Sequence, residues 1–180
     1  MSDLLDADLI HRSLSDQART ALDSLDVLDV VPSTNTWLMQ QDHREPGRFR
    51  AVLAEHQTAG RGRQSKRWVS PPRASVSLSI AYTFSQSPKN LSCLTLAVGV
   101  GVLAALRGLG IDSPQLKWPN DLYAGGAKLG GILTDAQSGA GGLITTICGV
   151  GLNVDLGAIT DPADLASIDY TITDLQSHID

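Results

Sequence analysis

The densest chemistry in the sequence lies at residues 57–68, where Gln57, Thr58, Ala59, Gly60, Arg61, Gly62 and Arg63 are followed by Lys66, Arg67 and Trp68. Glycine lets backbone approach a ligand closely, and guanidinium groups beside it donate paired hydrogen bonds to carboxylate or phosphate oxygens. Taken alone, the segment reads as an anion site, as a basic nucleic-acid strip, or as an ordinary solvated loop. Ser33-Thr34-Asn35 stands upstream, and alone it reads as a helix cap. Lys117-Trp118-Pro119-Asn120-Asp121 gathers a lysine, a tryptophan, an amide and a carboxylate into five residues, more than a proline turn requires. Lys128 precedes Gly130 and Gly131, and reads as a ligand lysine or as a solvated one beside a turn. Gly149-Val150-Gly151-Leu152-Asn153 closes the set, with a strand-end glycine turn as its plain alternative.

Charge supports an anion site over a polyanion surface. Fourteen Lys and Arg against nineteen Asp and Glu give a net charge of −5 over 180 residues, which argues against a protein that coats nucleic acid. Residues 57–89 hold no acid, and Arg61, Arg63, Lys66, Arg67 and Arg73 fall within one short stretch. After Lys128 no cation remains, while Asp135, Asp155, Asp161, Asp164, Asp169, Asp174 and Asp180 follow. A cationic loop in an acidic chain suits a small anion, because the remaining surface repels a long polyanion. Cys93 and Cys148 lie in apolar surroundings without metal-ligand or disulfide spacing, so both read as buried small hydrophobes. No run reaches the roughly 20 apolar residues of a membrane span, and the first ten residues lack a signal pattern, so a cytoplasmic protein without membrane contact is expected.

The elements that must position these groups follow from periodicity. Apolar residues at helical spacing predict a helix over residues 8–25, a short strand at 27–31, and a second helix from the Ser33 or Thr34 cap toward Gln41. Residues 51–55 read as a buried strand and 57–72 as a long loop, a type usually kept for function. Alternation at Val76, Leu78, Ile80 and Tyr82 predicts a strand over 75–83. Residues 91–109 read as a helix in which Gly99 and Gly101 allow close backbone contact. Short strands follow at 116–118, 122–124, 129–135 and 143–148. The order predicts an α+β fold with a mixed, largely antiparallel central sheet flanked by helices.

Taken together and in this order, the five segments resemble the catalytic domain of biotin protein ligases, a fold shared with lipoate ligases and class II synthetases; the likeness runs from about Val27 to Asn153. It implies an ATP-dependent ligase that converts biotin to biotinyl-5'-AMP and transfers it to a lysine of a carboxylase biotin carrier domain, with Mg²⁺ on the phosphates. By the resemblance, Ser33, Thr34, Asn35 and Gln57 line the biotin ureido pocket, and Gly60, Arg61, Gly62, Arg63 and Lys128 also bind biotin. Arg63, Lys66, Trp68, Asn120, Lys128 and Asn153 fall to ATP. A ureido group carries two N–H donors and one acceptor, a demand that hydroxyls and amides meet without charge. The chain departs from the family at Gln64, Ser65 and Lys66, where a basic residue, a glycine and an arginine are usual.

Arg61, Arg63 and Lys128 are the expected catalytic cations, with Asp121 as the acid that orients or deprotonates the incoming lysine. The metal ligands are unassigned. A lipoate-type ligase and a non-catalytic biotin-binding fragment are the alternatives. The resemblance further implies one catalytic domain over 1–180, without the family's later helices, its small β-barrel or an N-terminal DNA-binding domain, and it admits a homodimer.

Overall fold

The computed structural model describes residues 4–42, 45–69, 71–85, 91–158 and 170–179. The helix expected over residues 8–25 is two short ones, Ala7–Ser13 (α1) and Asp16–Ala21 (α2). Leu14 is extended and Ser15 starts afresh, its hydroxyl accepting from the Ala18 amide. From Leu22 the chain becomes strand Leu22–Val31 (β1), because it pairs in parallel with Phe49–Gln57 (β2). Sheet pairing here overrides a helix-compatible spacing of leucines. Between them, Thr34–Met39 (α3) is capped by Ser33 Oγ, which accepts from the Thr36 amide at 3.5 Å.

Ser75–Phe84 (β3) follows a long loop, and Leu94–Gly108 (α4) follows β3. Gln115–Lys117 (β4), Asp121–Ala124 (β5), Ala127–Ser138 (β6) and Ile144–Asn153 (β7) complete a seven-stranded sheet in the order β1-β2-β3-β7-β6-β5-β4. Only the β1/β2 pair is parallel among these neighbours, so the sheet is mixed and largely antiparallel as expected.

Alternation along β7 separates two cores. Val150 and Leu152 pack with Ile132, Leu122, Leu103 and Leu106 beneath α4, while Ile147 packs with Leu38, Val52 and Ala81 beneath α3. In α4, Gly99 meets the expectation of close contact, since a Cβ there would stand 2.7 Å from a Leu116 methyl, whereas Gly101 faces open space. Alternation in β3 was legible, but its most buried positions are the small polar ones, with Ser77 and Ser79 at 1% and 0% exposure.

The two cysteines part company: Cys93 is exposed and Cys148 buried. Burial pushes the Cys148 thiol up, its bond to Thr134 pulls the other way, and the Asp135 charge adds to the rise. Asp161, Asp164, Asp169 and Asp180 of the acidic stretch lie outside the described residues. Among those described, no helix is long and apolar enough to cross a membrane.

Candidate functional site

Strands from distant parts of the chain bring the polar segments to one cavity of about 530 Å³ on the α3 side of the sheet. Ser33, Thr34, Asn35 and Gln57 form one end of its wall, Arg61, Gly62, Arg63, Lys66 and Trp68 come from the loop, and Asn120, Asp121 and Lys128 face them. Among the described residues six cations line it, Lys117 and Arg67 included, against the single carboxylate of Asp121. The cavity is therefore strongly cationic within an acidic protein, which concentrates small anions.

The α3 end is a hydrogen-bonded network. Gln57 Oε1 accepts from the Thr34 amide at 2.8 Å and from its hydroxyl at 3.1 Å, and Gln57 Nε2 donates to Ser77 Oγ at 3.2 Å. Ser79 Oγ lies 2.7 Å from Thr34 Oγ1 and 2.6 Å from Asn35 Oδ1, donating to one at a time. Asn35 Nδ2 donates to Asp135 Oδ2 at 2.9 Å and to the Leu133 carbonyl at 3.3 Å. Both Asn35 amide hydrogens are thus used within the protein, so Asn35 braces the pocket that it lines. Ser33 and Gln57 each keep one hydrogen beyond these bonds. Glycine at 149 is required here, because a Cβ would stand 2.3 Å from Asn35 Oδ1.

The basic loop closes on itself. The Gly62 amide donates to the Lys66 carbonyl at 2.8 Å, the Trp68 amide to the Gly60 carbonyl at 2.9 Å, and Arg63–Ser65 form a single 3₁₀ turn. Gly60 is buried and is absent from the cavity wall; a Cβ there would lie within 3 Å of the Trp68 carbonyl, so its glycine serves the loop's own closure. Gln64 and Ser65 both adopt positive φ, at 54° and 61°. A glycine at position 65 would take that conformation without strain; serine does not. The Trp68 indole rests against β7 where Gly151 leaves room, and its Nε1–H is buried with no acceptor among the described residues.

The cations are held in different ways. Arg61 makes a two-pronged ion pair with Asp135, at 3.3 and 3.4 Å. Arg63 Nη1 donates to Asn120 Oδ1 at 3.3 Å, and Asn120 Nδ2 donates to the Ile132 carbonyl at 2.9 Å, so Asn120 fixes Arg63 to β6. Lys66 is exposed at the rim without an ion-pair partner among the described residues. Lys128 Nζ sits 2.8 Å from Asp121 Oδ1 and 4.7 Å from the Tyr170 ring centroid. Its backbone is clamped on both sides, donating to the Thr171 carbonyl and accepting from the Thr173 amide, each at 2.9 Å.

Asn153, expected at the nucleotide, does not line the cavity. It is buried, and its Nδ2 donates to the Thr173 carbonyl at 2.9 Å, which ties residues 170–175 to the end of β7. Sequence reasoning missed Ser77, Ser79, Asp135 and Tyr170. Small residues at 75, 77 and 79 on the face opposite the apolar alternation were the available signal for the serines. Asp135 and Tyr170 gave none, because their partners are remote in sequence. Asp174 anchors the same C-terminal segment. Burial alone would raise its carboxyl, but bonds from the Ser177 hydroxyl and the Leu156 and Ser177 amides, with His178 nearby, outweigh this and hold it below the usual carboxylate range.

The described residues contain no group of three or more His, Cys, Asp or Glu able to cage a metal. The donor set they offer at the cavity is cationic, so it does not fit a resident divalent ion.

The model of the Biotin/lipoate A/B protein ligase family matches residues 27–153. A Bifunctional ligase/repressor BirA from Salmonella typhimurium is 37% identical over 161 residues, covering 88% of this chain and 47% of that protein. A Biotin--[acetyl-CoA-carboxylase] ligase from Mycobacterium tuberculosis is 38% identical over 160 residues, covering 84% of this chain and 58% of that protein. The chain thus spans about half the length of these curated relatives. Among solved structures, biotin protein ligase from Aquifex aeolicus in complex with biotin and ATP is similar with a TM-score of 0.62 at 28% identity, over 87% of this chain and 60% of that one.

Proposed function

The chain belongs to the Biotin/lipoate A/B protein ligase family, and from that premise we propose that it activates biotin with ATP and passes the biotinyl group to a lysine of a carboxylase biotin carrier domain. The observation that carries the reading is that Arg63 and Lys128, 65 positions apart in the chain, line one cavity with Ser33, Thr34 and Gln57. A polar pocket beside a cationic one matches a ligand with an uncharged hydrogen-bonding ring and an anionic tail.

In the first step the biotin carboxylate oxygen bonds to the α-phosphorus of ATP as the α–β bridging P–O bond breaks and pyrophosphate leaves. A carboxylate is already ionised at neutral pH and needs no base. It needs relief from repulsion, which Arg63, Lys66 and Lys128 supply. The free hydrogens of Ser33 and Gln57 meet the ureido carbonyl, and Thr34, braced by Gln57 and Ser79, shapes the pocket beside them. The orphan Trp68 Nε1–H offers a donor to a bound ligand. Divalent cation, arriving with the nucleotide, would add to charge neutralisation, and no step is assigned to it.

In the second step a carrier amine attacks the acyl carbon and AMP leaves. The amine, with a pKa near 10.4, must first lose a proton. Asp121 supports that role, since it is the carboxylate of the cavity and lies against Lys128. The hydrogen-bonding pocket at α3 favours the ureido ring of biotin over the apolar dithiolane ring of lipoate, because unpaired buried groups cost about 1–3 kcal/mol each. The test is incubation with radiolabelled biotin and Mg-ATP, followed by separation of the adenylate and scoring of label on an added carrier domain. Adenylate and carrier label are expected. Binding of lipoate in preference to biotin in parallel calorimetry would overturn the assignment.

A further inference from the structure

Asp135 has no part in the chemistry above, yet it joins the two halves of the site. Its Oδ2 accepts from Asn35 Nδ2 at 2.9 Å and from Arg61 Nη1 at 3.3 Å, while Oδ1 accepts from Arg61 Nη2 at 3.4 Å. The same guanidinium lies 3.9 Å from Met39 Sδ, and Met39 stands one helical turn beyond Asn35 on α3. From Asn35 the contacts continue through Ser79 to Thr34 and Gln57. An unbroken chain of polar contacts therefore runs from a loop arginine to the hydroxyl of the polar pocket, and Asp135 is the link between them. An isolated ion pair on a surface is worth little. This one differs, because its carboxylate stands on β6 with its side chain only 20% exposed and shares an oxygen with a buried amide.

We propose that Asp135 is a positioning residue that couples the basic loop to the polar pocket. By holding Arg61 and Asn35 with one carboxylate, it sets the start of the loop in register with Thr34 and Gln57 before a ligand enters. A site arranged in advance loses less freedom on binding. The effect on biotin rests on the ligase reading; the coupling in the empty protein does not.

Hydrogen exchange on the empty protein compares wild type, Asp135→Asn, Arg61→Gln and the double variant. The reporters are the Gly62 and Trp68 amides, whose bonds to the Lys66 and Gly60 carbonyls close the loop. Each single variant is expected to speed their exchange about fivefold, the scale of a partly exposed ion pair, and the double variant to add nothing further. Amides of β1 and β2 stay unchanged, which a general loosening of the sheet would not allow. Unaltered loop exchange in Asp135→Asn, or a double variant equal to the product of the singles, would overturn the proposal. Calorimetry with biotin runs alongside, with Asp135→Asn expected to bind about fivefold more weakly. Wild type that takes up no biotin removes the ligase reading, while the exchange comparison still decides the coupling.

Discussion

Replacing Lys128 by methionine deletes a charge and leaves a side chain of similar length. The backbone keeps its place, because it is clamped by Thr171 and Thr173. Two unit charges about 4 Å apart interact by about 4 kcal/mol at an effective dielectric near 20, so one ammonium that faces two meeting anions is worth a few kcal/mol. Removal of one preorganised donor typically costs about 2.7–4 kcal/mol, a loss of about 10²–10³ in kcat. Stability responds on a smaller scale. The Lys128–Asp121 pair, with side chains 15% and 28% exposed, is worth about 1 kcal/mol, which lowers Tm by about 2–4 °C in a chain of this size. Rapid-quench measurement of biotinyl-adenylate formation at 25 °C, with the variant fully folded by circular dichroism, separates the two effects. The reasoning fails if adenylate formation drops by less than about tenfold, or if the loss follows the unfolded fraction. Asp121→Asn provides the contrast: adenylate formation is largely retained while transfer to the carrier slows.

Gly149→Ala would place a methyl 2.3 Å from Asn35 Oδ1 and eject the amide from its bonds to Asp135 and Ser79; a loss of about 2–3 kcal/mol by urea unfolding is expected. Ser65→Gly removes a serine from φ 61° and should raise Tm by about 1–3 °C, read by calorimetry. Asp174 is held below its ordinary range in the fold, so its contribution to stability is complete above its unfolded value of about 3.9 and is lost as pH falls through the lower folded value. Unfolding free energies of wild type and Asp174→Asn should therefore differ at neutral pH and converge in acid below about pH 4, and a gap independent of pH would contradict this.

The parts of this molecule that were legible in sequence are those whose signal is local. Alternation marked β3, and the clustering of Arg61, Arg63 and Lys66 marked the loop, because charge density and period are properties of a few neighbouring residues. Leu22 and Leu25 misled, since their spacing suits a helix until Phe49–Gln57 supplies a strand to pair with. Partners within the fold were hidden for the same reason. Asn35 and Asn153 were assigned to ligands through the family resemblance, and Asp135 and Thr173, remote in sequence, hold their amides in the empty protein. The burial of Ser77 and Ser79 followed from where α3 lies, which periodicity within β3 does not reveal. Gly149 and Gly151 had a strand-end turn as their plain alternative, whereas in the fold they are strand positions on which Asn35 and Trp68 rest.

Strand β7, the last of the seven described in chain order, sits in the middle of the sheet, hydrogen-bonded to β3 on one side and β6 on the other. Without β7 the sheet would fall into two pieces, β1–β3 and β4–β6, each with a bare edge able to pair with another chain. Residues 144–153 join the pieces and so keep the loop arginines across the cavity from Lys128. The cavity wall draws residues from both pieces, so its shape depends on β7 holding them side by side.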